Sequence, residues 1–284
     1  SVSLPYFLSH SALELFNLNE QQPKEEFIKN LPLWRHAFDP TTYFAKSKSL
    51  VFHLVKQKKF LELSFLVFYL LQTEVDQNAQ TELLQTARDF LRQVKNSVSK
   101  EKLLEHFILF AVNKSFFDEA IGFALLVSPD IEQFLPVIIF ILKKLSESCD
   151  QEEIKRYMNN LRSSLSEIVC AEFRDYVIWP CISAKFREVS VESGSAFFVS
   201  LQAALFILDS DVKLDCLQAL LKEQLDKKNF SFARVVLEEI AQLSSALDKN
   251  QIRDFLLKIR NRVTKTIPNE KNADDFKKFL QSLD

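Results

Sequence analysis

The chain is poor in glycine, the residue that most tight turns require. It has 2 glycines among 284 residues, where average usage would give roughly 20. Glycine supplies the positive φ of many β-hairpin turns and phosphate-binding loops. The scarcity therefore argues against a hairpin-rich β fold, a Rossmann dinucleotide site and a P-loop, and we expect no cofactor.

Cysteine and histidine are also scarce, and neither follows a metal-binding pattern. The four cysteines (Cys149, Cys170, Cys181 and Cys216) include no CxxC pair, and the four histidines (His10, His36, His53 and His106) form no HExxH motif. A G-x-S-x-G nucleophile elbow is missing as well. The sequence thus predicts no metal site and no catalytic residue, with reduced thiols carried on helices.

Neither an excess of positive charge nor a long apolar run is present. The formal net charge is −2, which gives no indication of a nucleic-acid partner. The longest apolar runs, 61–71 and 134–142, are shorter than the ~20 residues of a membrane span. Cysteine usage favours the cytoplasm, while secretion or host targeting by residues before Ser1 remains open.

What the sequence does contain is helical periodicity. Apolar residues recur at helical spacing in 154–169, as Ile154, Tyr157, Met158, Leu161, Leu165 and Ile168. Asp150 precedes this stretch and is a typical N-cap. The apolar fraction is 47% and includes 27 phenylalanines, enough for a large core. The sequence predicts an all-α fold without a sheet.

Proline placement and periodicity divide the chain into three parts. Residues 1–45 hold four of the eight prolines, which predicts a capping segment of short helices. Residues 46–265 form a helical-repeat body, and 266–284 a short C-terminal helix.

The body contains internal repeats. A Lys-x-Phe pattern between two apolar helices ends at Phe60, Phe116 and Phe230. The first two are 56 residues apart and the last two 114 apart, about twice that distance. This spacing predicts a further unit near Phe173. Independently, Arg-Asp-Phe-Leu occurs at both 88–91 and 253–256. Stacked repeats bury apolar faces that single helix pairs cannot bury.

Two hairpins resemble the tetratricopeptide family. In 106–130, Phe117 stands at the family's aromatic position, Ala120 at its close helix contact and Pro129 at its terminal proline. In 229–242, Phe230 and Ala233 match the first two positions. The small turn residue of the family is replaced by Asn113 or Lys114 in the first hairpin. The resemblance implies a right-handed superhelical stack of antiparallel helix hairpins, an α-solenoid, with a groove that binds a protein or peptide.

One predicted helix, 252–265, is strongly basic outside its apolar stripe. We identify Arg253, Lys258, Arg260 and Arg262 as candidate partner-binding residues, since an acidic peptide or lipid headgroups could dock there. The alternative is a solvated helix face.

Together these features predict a non-enzymatic protein-binding scaffold, adaptor or chaperone that acts through a helical-repeat groove. Its partner would be another protein or a peptide, and no small-molecule substrate is predicted. Two alternatives remain: a regulatory or effector bundle that binds one dedicated partner, and a helical enzyme whose site the sequence does not reveal.

Overall fold

The computed structural model describes residues 67, 71, 76–94, 98–127, 131–189, 194–243, 254–255, 257–259, 261 and 271–282. The chain divides into two compact units, Ser1–Ala111 and Val112–Asp284. The predicted capping segment 1–45, the predicted boundary at 265 and Phe60 lie outside the described residues.

The described backbone consists of helices and the turns between them, without a strand, which confirms the all-α prediction for this part of the chain. The helices are α1 (Gln77–Leu91), α2 (Val98–Asn113), α3 (Phe117–Ala124), α4 (Ile131–Ser148), α5 (Gln151–Ile168), α6 (Ala171–Phe173), α7 (Trp179–Val189), α8 (Gly194–Phe206), α9 (Ser210–Asp226), α10 (Phe230–Gln242) and α11 (Lys271–Ser282). A π-helical turn, Arg174–Ile178, joins α6 to α7.

Helix α5 forms as its sequence predicts. The Asp150 side chain accepts the Glu153 backbone N–H at 2.9 Å, and the Glu153 side chain accepts the Asp150 N–H at 3.2 Å. This capping box satisfies two amide donors that the first turn leaves without an intrahelical partner. The first five residues of the predicted apolar stripe are buried, but the sixth, Ile168, is exposed because the helix ends there and Val169 is extended.

Helix α8 is the central helix of the second unit. It packs against α4, α5, α7 and α9, and apolar side chains surround it on most sides, as expected for a helix inside a core. Helix α3 packs against α4 and α5, α9 against α10, and α10 against α11. The described helices therefore pack in pairs, which is compatible with a helical-repeat fold.

The apolar run 134–142 lies in α4, where Ile138, Ile141 and Leu142 are fully buried. It is a core helix, as predicted. Among the described residues, no helix has the length and apolar content needed to cross a membrane.

Two helix–helix turns have the same backbone geometry. Ser115, between α2 and α3, has a φ of 61°, and Lys228, between α9 and α10, has a φ of 60°. Each is followed by an N-cap residue of similar conformation: φ −85° and ψ 65° at Phe116, φ −83° and ψ 69° at Asn229. Left-handed φ is uncommon outside glycine, so its recurrence before two helices is a shared feature of these turns.

This geometry corrects the register of the repeat. The helix after each turn begins at Phe117 and at Phe230, both buried, and Ala120 and Ala233 are buried one turn later. Phe230 therefore corresponds to Phe117, whereas the Lys-x-Phe spacing pairs it with Phe116. The two corresponding phenylalanines are 113 residues apart.

The turn before Phe173 is different. Val169 and Cys170 are both extended, without a left-handed residue, and the helix that starts at Ala171 continues through the π-helical turn. The unit predicted near Phe173 does not have the turn of the other two.

The cysteines form no disulfide. Cys181 and Cys216 lie on helices α7 and α9, but Cys149 and Cys170 lie at helix ends. The prediction that all four thiols stand on helices was therefore wrong for two of them, because α4 and α5 each end just before a cysteine.

Candidate docking surface

The basic helix predicted from the sequence lies mostly outside the described residues. Of its candidate residues, Arg253, Arg260 and Arg262 are not described, and Lys258 is exposed. Ile259 is buried and Phe255 half-buried in the core cluster formed by α8 to α11, as expected for the inward stripe of this helix. Partner binding by these four residues stays a prediction.

A second surface is defined by two large exposed side chains in the second unit. Tyr176 is 58% exposed and Leu208 is 60% exposed. Tyr176 belongs to the π-helical turn and Leu208 to the turn between α8 and α9. Their side chains are here called the Tyr–Leu patch. A single exposed apolar residue is ordinary, but these two are joined by a network of hydrogen bonds.

The π-helical turn is explained by Pro180. A proline within a helix has no N–H to donate to the carbonyl four residues earlier, and its ring clashes with that carbonyl. For Pro180 this is the carbonyl of Tyr176. The backbone widens just before the proline, so that the Trp179 N–H donates to the Arg174 carbonyl five residues back. Such π turns are rare and often occur at functional sites. This one buries Asp175 and exposes Tyr176.

The buried carboxylate of Asp175 holds the α8–α9 turn against the π-helical turn. Its Oδ2 accepts the backbone N–H of Leu208 at 3.0 Å and that of Asp209 at 3.2 Å. Hydrogen bonds to a charged acceptor are stronger than neutral ones. Asp175 thereby fixes the backbone position of Leu208.

Asp209 connects Tyr176 to the same turn. Its Oδ1 caps α9 by accepting the N–H groups of Asp211 and Val212 at 3.1 and 3.0 Å. Its Oδ2 accepts the Tyr176 hydroxyl at 2.7 Å. Tyr176 is thus bonded to the residue after Leu208, and the Leu208 N–H to the residue before Tyr176, so the two exposed residues lie on adjoining turns.

These bonds also determine the charge state of the patch. The helix N–H groups and the Tyr176 hydroxyl lower the pKa of Asp209, which is ionised at neutral pH. The pKa of Tyr176 is raised by its hydrogen bond to Asp209 and by the negative charges of Asp209, Asp175 and Asp211. The charges that act on the tyrosine are therefore carboxylates.

Two cationic side chains, Arg162 and Lys213, also lie near the α8–α9 turn. Arg162 of α5 lies over the Phe206 ring, with Cζ 4.9 Å from its centroid, and Phe206 packs edge-to-face on Trp179 at 5.1 Å. Burial lowers the pKa of Lys213, and the positive charge of Arg162 lowers it further. The negative charges of Asp175 and Glu239 raise this pKa but do not cancel the decrease. The surface is acidic near Tyr176 and basic near Phe206.

In chemical terms the patch offers contact area, hydrogen-bond acceptors and charge. Across the described ranges, no group of three or more histidine, cysteine or carboxylate side chains could hold a metal ion. No known protein-family model matches the chain, and no curated protein matches it either.

Sequence reasoning missed the Tyr–Leu patch. Pro180 and the Asp209 cap were visible as local signals. The exposure of Tyr176 and Leu208, however, depends on how α7, α8 and α9 pack, which periodicity within one helix does not reveal.

Proposed function

We propose that this chain is a non-enzymatic protein-binding module, a scaffold, adaptor or chaperone, and that the Tyr–Leu patch is a docking surface for its partner. The observation that carries the proposal is the exposure of Tyr176 and Leu208 on turns fixed by Asp175 and Asp209. Tyrosine is enriched at the energetic centres of protein interfaces.

The rigidity of the patch supports this role. Burying a large apolar side chain in an interface is worth about 1.5–3 kcal/mol, but ordering flexible side chains on binding offsets part of that gain. The Tyr176 hydroxyl is already held by Asp209 at 2.7 Å, and the Leu208 backbone is already held by Asp175. A partner would therefore meet a preorganised surface.

The finer architecture belongs to the same proposal. We propose that the repeated hairpins stack as a right-handed superhelix of the tetratricopeptide type, with phenylalanine and leucine side chains lining a groove. The matching turns at Ser115 and Lys228 support repetition of the hairpin. Small-angle X-ray scattering tests the arrangement: a superhelix has an elongated envelope, whereas a compact envelope would contradict it.

The basic helix is a second candidate contact. We propose that Arg253, Lys258, Arg260 and Arg262 bind an acidic segment of a partner. Reversal of these charges should remove proteins from the set that the chain captures, and an unchanged set would show that this face is only solvated.

The module would act in a reducing compartment such as the cytoplasm, which suits four unpaired cysteines. The alternative, a bundle that regulates one dedicated partner, differs from a scaffold or chaperone in the number of proteins that it binds. A scaffold or chaperone captures several proteins in competition with one another, and a dedicated regulator captures one.

Quantitative pull-downs from native lysate test the docking surface. Wild-type chain is compared with Tyr176→Ser/Leu208→Ser and with the control Val189→Ser, which changes an exposed apolar residue at the end of α7. We expect a defined set of proteins to be lost with the double variant and retained by the control. If both variants retain what the wild type retains, the Tyr–Leu patch is not the docking surface.

A further inference from the structure

The surroundings of the Tyr–Leu patch restrict what can dock there. Tyr176 exposes an aromatic ring whose faces carry negative electrostatic potential. The Tyr176 hydroxyl donates to Asp209 at 2.7 Å, and Asp211 lies in the first turn of α9 with an exposed side chain. Leu208 adds an apolar surface beside them. The patch thus has an apolar part, Leu208, and a part that attracts cations, formed by the Tyr176 ring and the carboxylates of Asp209 and Asp211.

On these grounds we propose that the Tyr–Leu patch binds a partner segment in which an arginine or lysine stands next to an apolar residue. The cation lies over the Tyr176 ring and faces the carboxylates of Asp209 and Asp211, and the apolar residue contacts Leu208. The inference rests on the proposed docking function and adds the chemistry of the partner.

Two physical points favour this occupant over an acidic one. An acidic side chain near Tyr176 would meet Asp209 and Asp211 as like charges, which is unfavourable in any register that contacts the ring. A guanidinium can stack on the ring and donate to a carboxylate at the same time, because its planar face and its N–H edge are used for different contacts. The charges that act on the Tyr176 hydroxyl are all carboxylates, whereas Arg162 lies over the Phe206 ring.

Substitution of Asp211 tests whether its negative charge attracts the cation of the partner. Its backbone N–H bonds to Asp209, but the cap is made by the Asp209 side chain, so changing the Asp211 side chain leaves the cap in place. Glu152 is the matched control, since it is also an exposed acid in the first turn of a long helix, α5. Asp211→Lys and Glu152→Lys alter net charge equally and have the same relation to a helix N-terminus.

The experiment selects peptides from a phage-displayed library of random 12-residue sequences on the immobilised full chain. Enriched peptides are synthesised, and their dissociation constants are measured by fluorescence anisotropy for five proteins: wild type, Tyr176→Ser/Leu208→Ser, Tyr176→Leu, Asp211→Lys and Glu152→Lys. Circular dichroism confirms that each variant keeps its helix content.

We expect the enriched peptides to carry Lys or Arg beside an apolar residue and to lose binding to the double variant. Asp211→Lys should weaken their binding about five- to tenfold, given that a single exposed ion pair is worth roughly two- to fivefold and reversal adds repulsion. Glu152→Lys should change it less than twofold. Tyr176→Leu, which keeps an apolar side chain but removes the ring, should also weaken it.

The other outcomes separate the two proposals. Peptides that depend on the patch but are neutral or acidic would overturn the basic partner and leave the docking function in place. Equal weakening by Asp211→Lys and Glu152→Lys would also overturn it, since attraction would then come from the overall charge. If no peptide depends on Tyr176 and Leu208, the docking function fails and the inference fails with it.

Discussion

Ser115 and Lys228, 113 residues apart, hold the same left-handed backbone conformation, with φ of 61° and 60°. Each lies two residues before the start of a helix. The Ser115 N–H donates to Val112 O and the Lys228 N–H to Leu225 O, both at 3.1 Å, so the two turns share this hydrogen bond. Neither position has the glycine that normally relieves this conformation.

The first prediction concerns this turn. Ser115→Gly should raise the free energy of unfolding by about 0.5–1 kcal/mol, because glycine adopts positive φ without the Cβ contact that penalises serine. Urea denaturation followed by circular dichroism measures the change. Ser163→Gly is the control, since Ser163 is exposed within α5 and glycine there should lower stability by about 0.5–1 kcal/mol. Destabilisation by both substitutions would contradict the assigned turn.

The second prediction concerns the buried carboxylate below the Tyr–Leu patch. Asp175→Ala removes the acceptor of two backbone N–H groups and should lower the free energy of unfolding by about 2–4 kcal/mol. Asp175→Asn retains an acceptor oxygen and should cost about half as much. Asp118→Ala is the comparison, since the Asp118 bond to Asn160 is exposed and its loss should cost less than about 0.5 kcal/mol. Equal costs at positions 175 and 118 would refute the structural role of Asp175.

Local features of the fold could be predicted from the sequence. Asp150 and the stripe that begins at Ile154 define α5, because capping and periodicity act within one helix. The sequence offers two pairings for the recurring turn: the Lys-x-Phe spacing pairs Phe230 with Phe116, and the tetratricopeptide resemblance pairs it with Phe117. The backbone angles of the two turns agree with the second pairing.

The Tyr–Leu patch could not be predicted in the same way. Tyr176 and Leu208 are apolar side chains that a sequence pattern assigns to the core, and they are exposed because α7, α8 and α9 bury other faces. Pro180 marks an irregularity in its helix, but a proline alone does not distinguish a π turn from a kink. Charge clusters such as the basic helix at Lys258 are easier to recognise in a sequence, because charged side chains are expected at the surface however the helices pack.

The third prediction concerns the contact between α7 and α8. The Ser200 hydroxyl donates to Ser183 O at 2.8 Å, and the two hydroxyl oxygens are 3.2 Å apart; both residues are buried. Ser200→Ala and Ser183→Ala should each cost about 0.5–1.5 kcal/mol of unfolding free energy. The double variant should cost less than the sum by about 0.5 kcal/mol, because either substitution removes the hydrogen bond between the two hydroxyls and this bond can be lost only once.

A double-mutant cycle in urea measures this coupling. The cycle of Ser200→Ala with Ser231→Ala, an exposed serine on α10, should be additive within about 0.3–0.5 kcal/mol. Additivity in the Ser183–Ser200 cycle as well would show that the two hydroxyls do not interact in solution.

The fourth prediction concerns thiol reactivity and its dependence on pH. Burial raises the pKa of the Cys149 thiol to about 11, and the negative charge of Glu153 and a hydrogen bond to it act in the same direction. The thiolate is the reactive form. At pH 8 about one Cys149 side chain in a thousand is a thiolate. Its alkylation by iodoacetamide should be far slower than that of the exposed Cys181. Between pH 8 and pH 10 the Cys149 rate should rise about tenfold per pH unit, because each unit below the pKa multiplies the thiolate fraction by ten.

Peptide mass spectrometry after timed alkylation gives the rate at each cysteine. Glu153→Gln removes the negative charge while keeping a side chain that can accept the Asp150 N–H of the capping box, so it should lower the Cys149 pKa and speed alkylation at pH 8 several-fold. Glu152→Gln should leave the rate unchanged, since Glu152 is not among the groups that shift this thiol. Alkylation of Cys149 at the Cys181 rate at pH 8, or equal acceleration by both glutamate substitutions, would contradict the burial and the Glu153 contact that hold this thiol protonated.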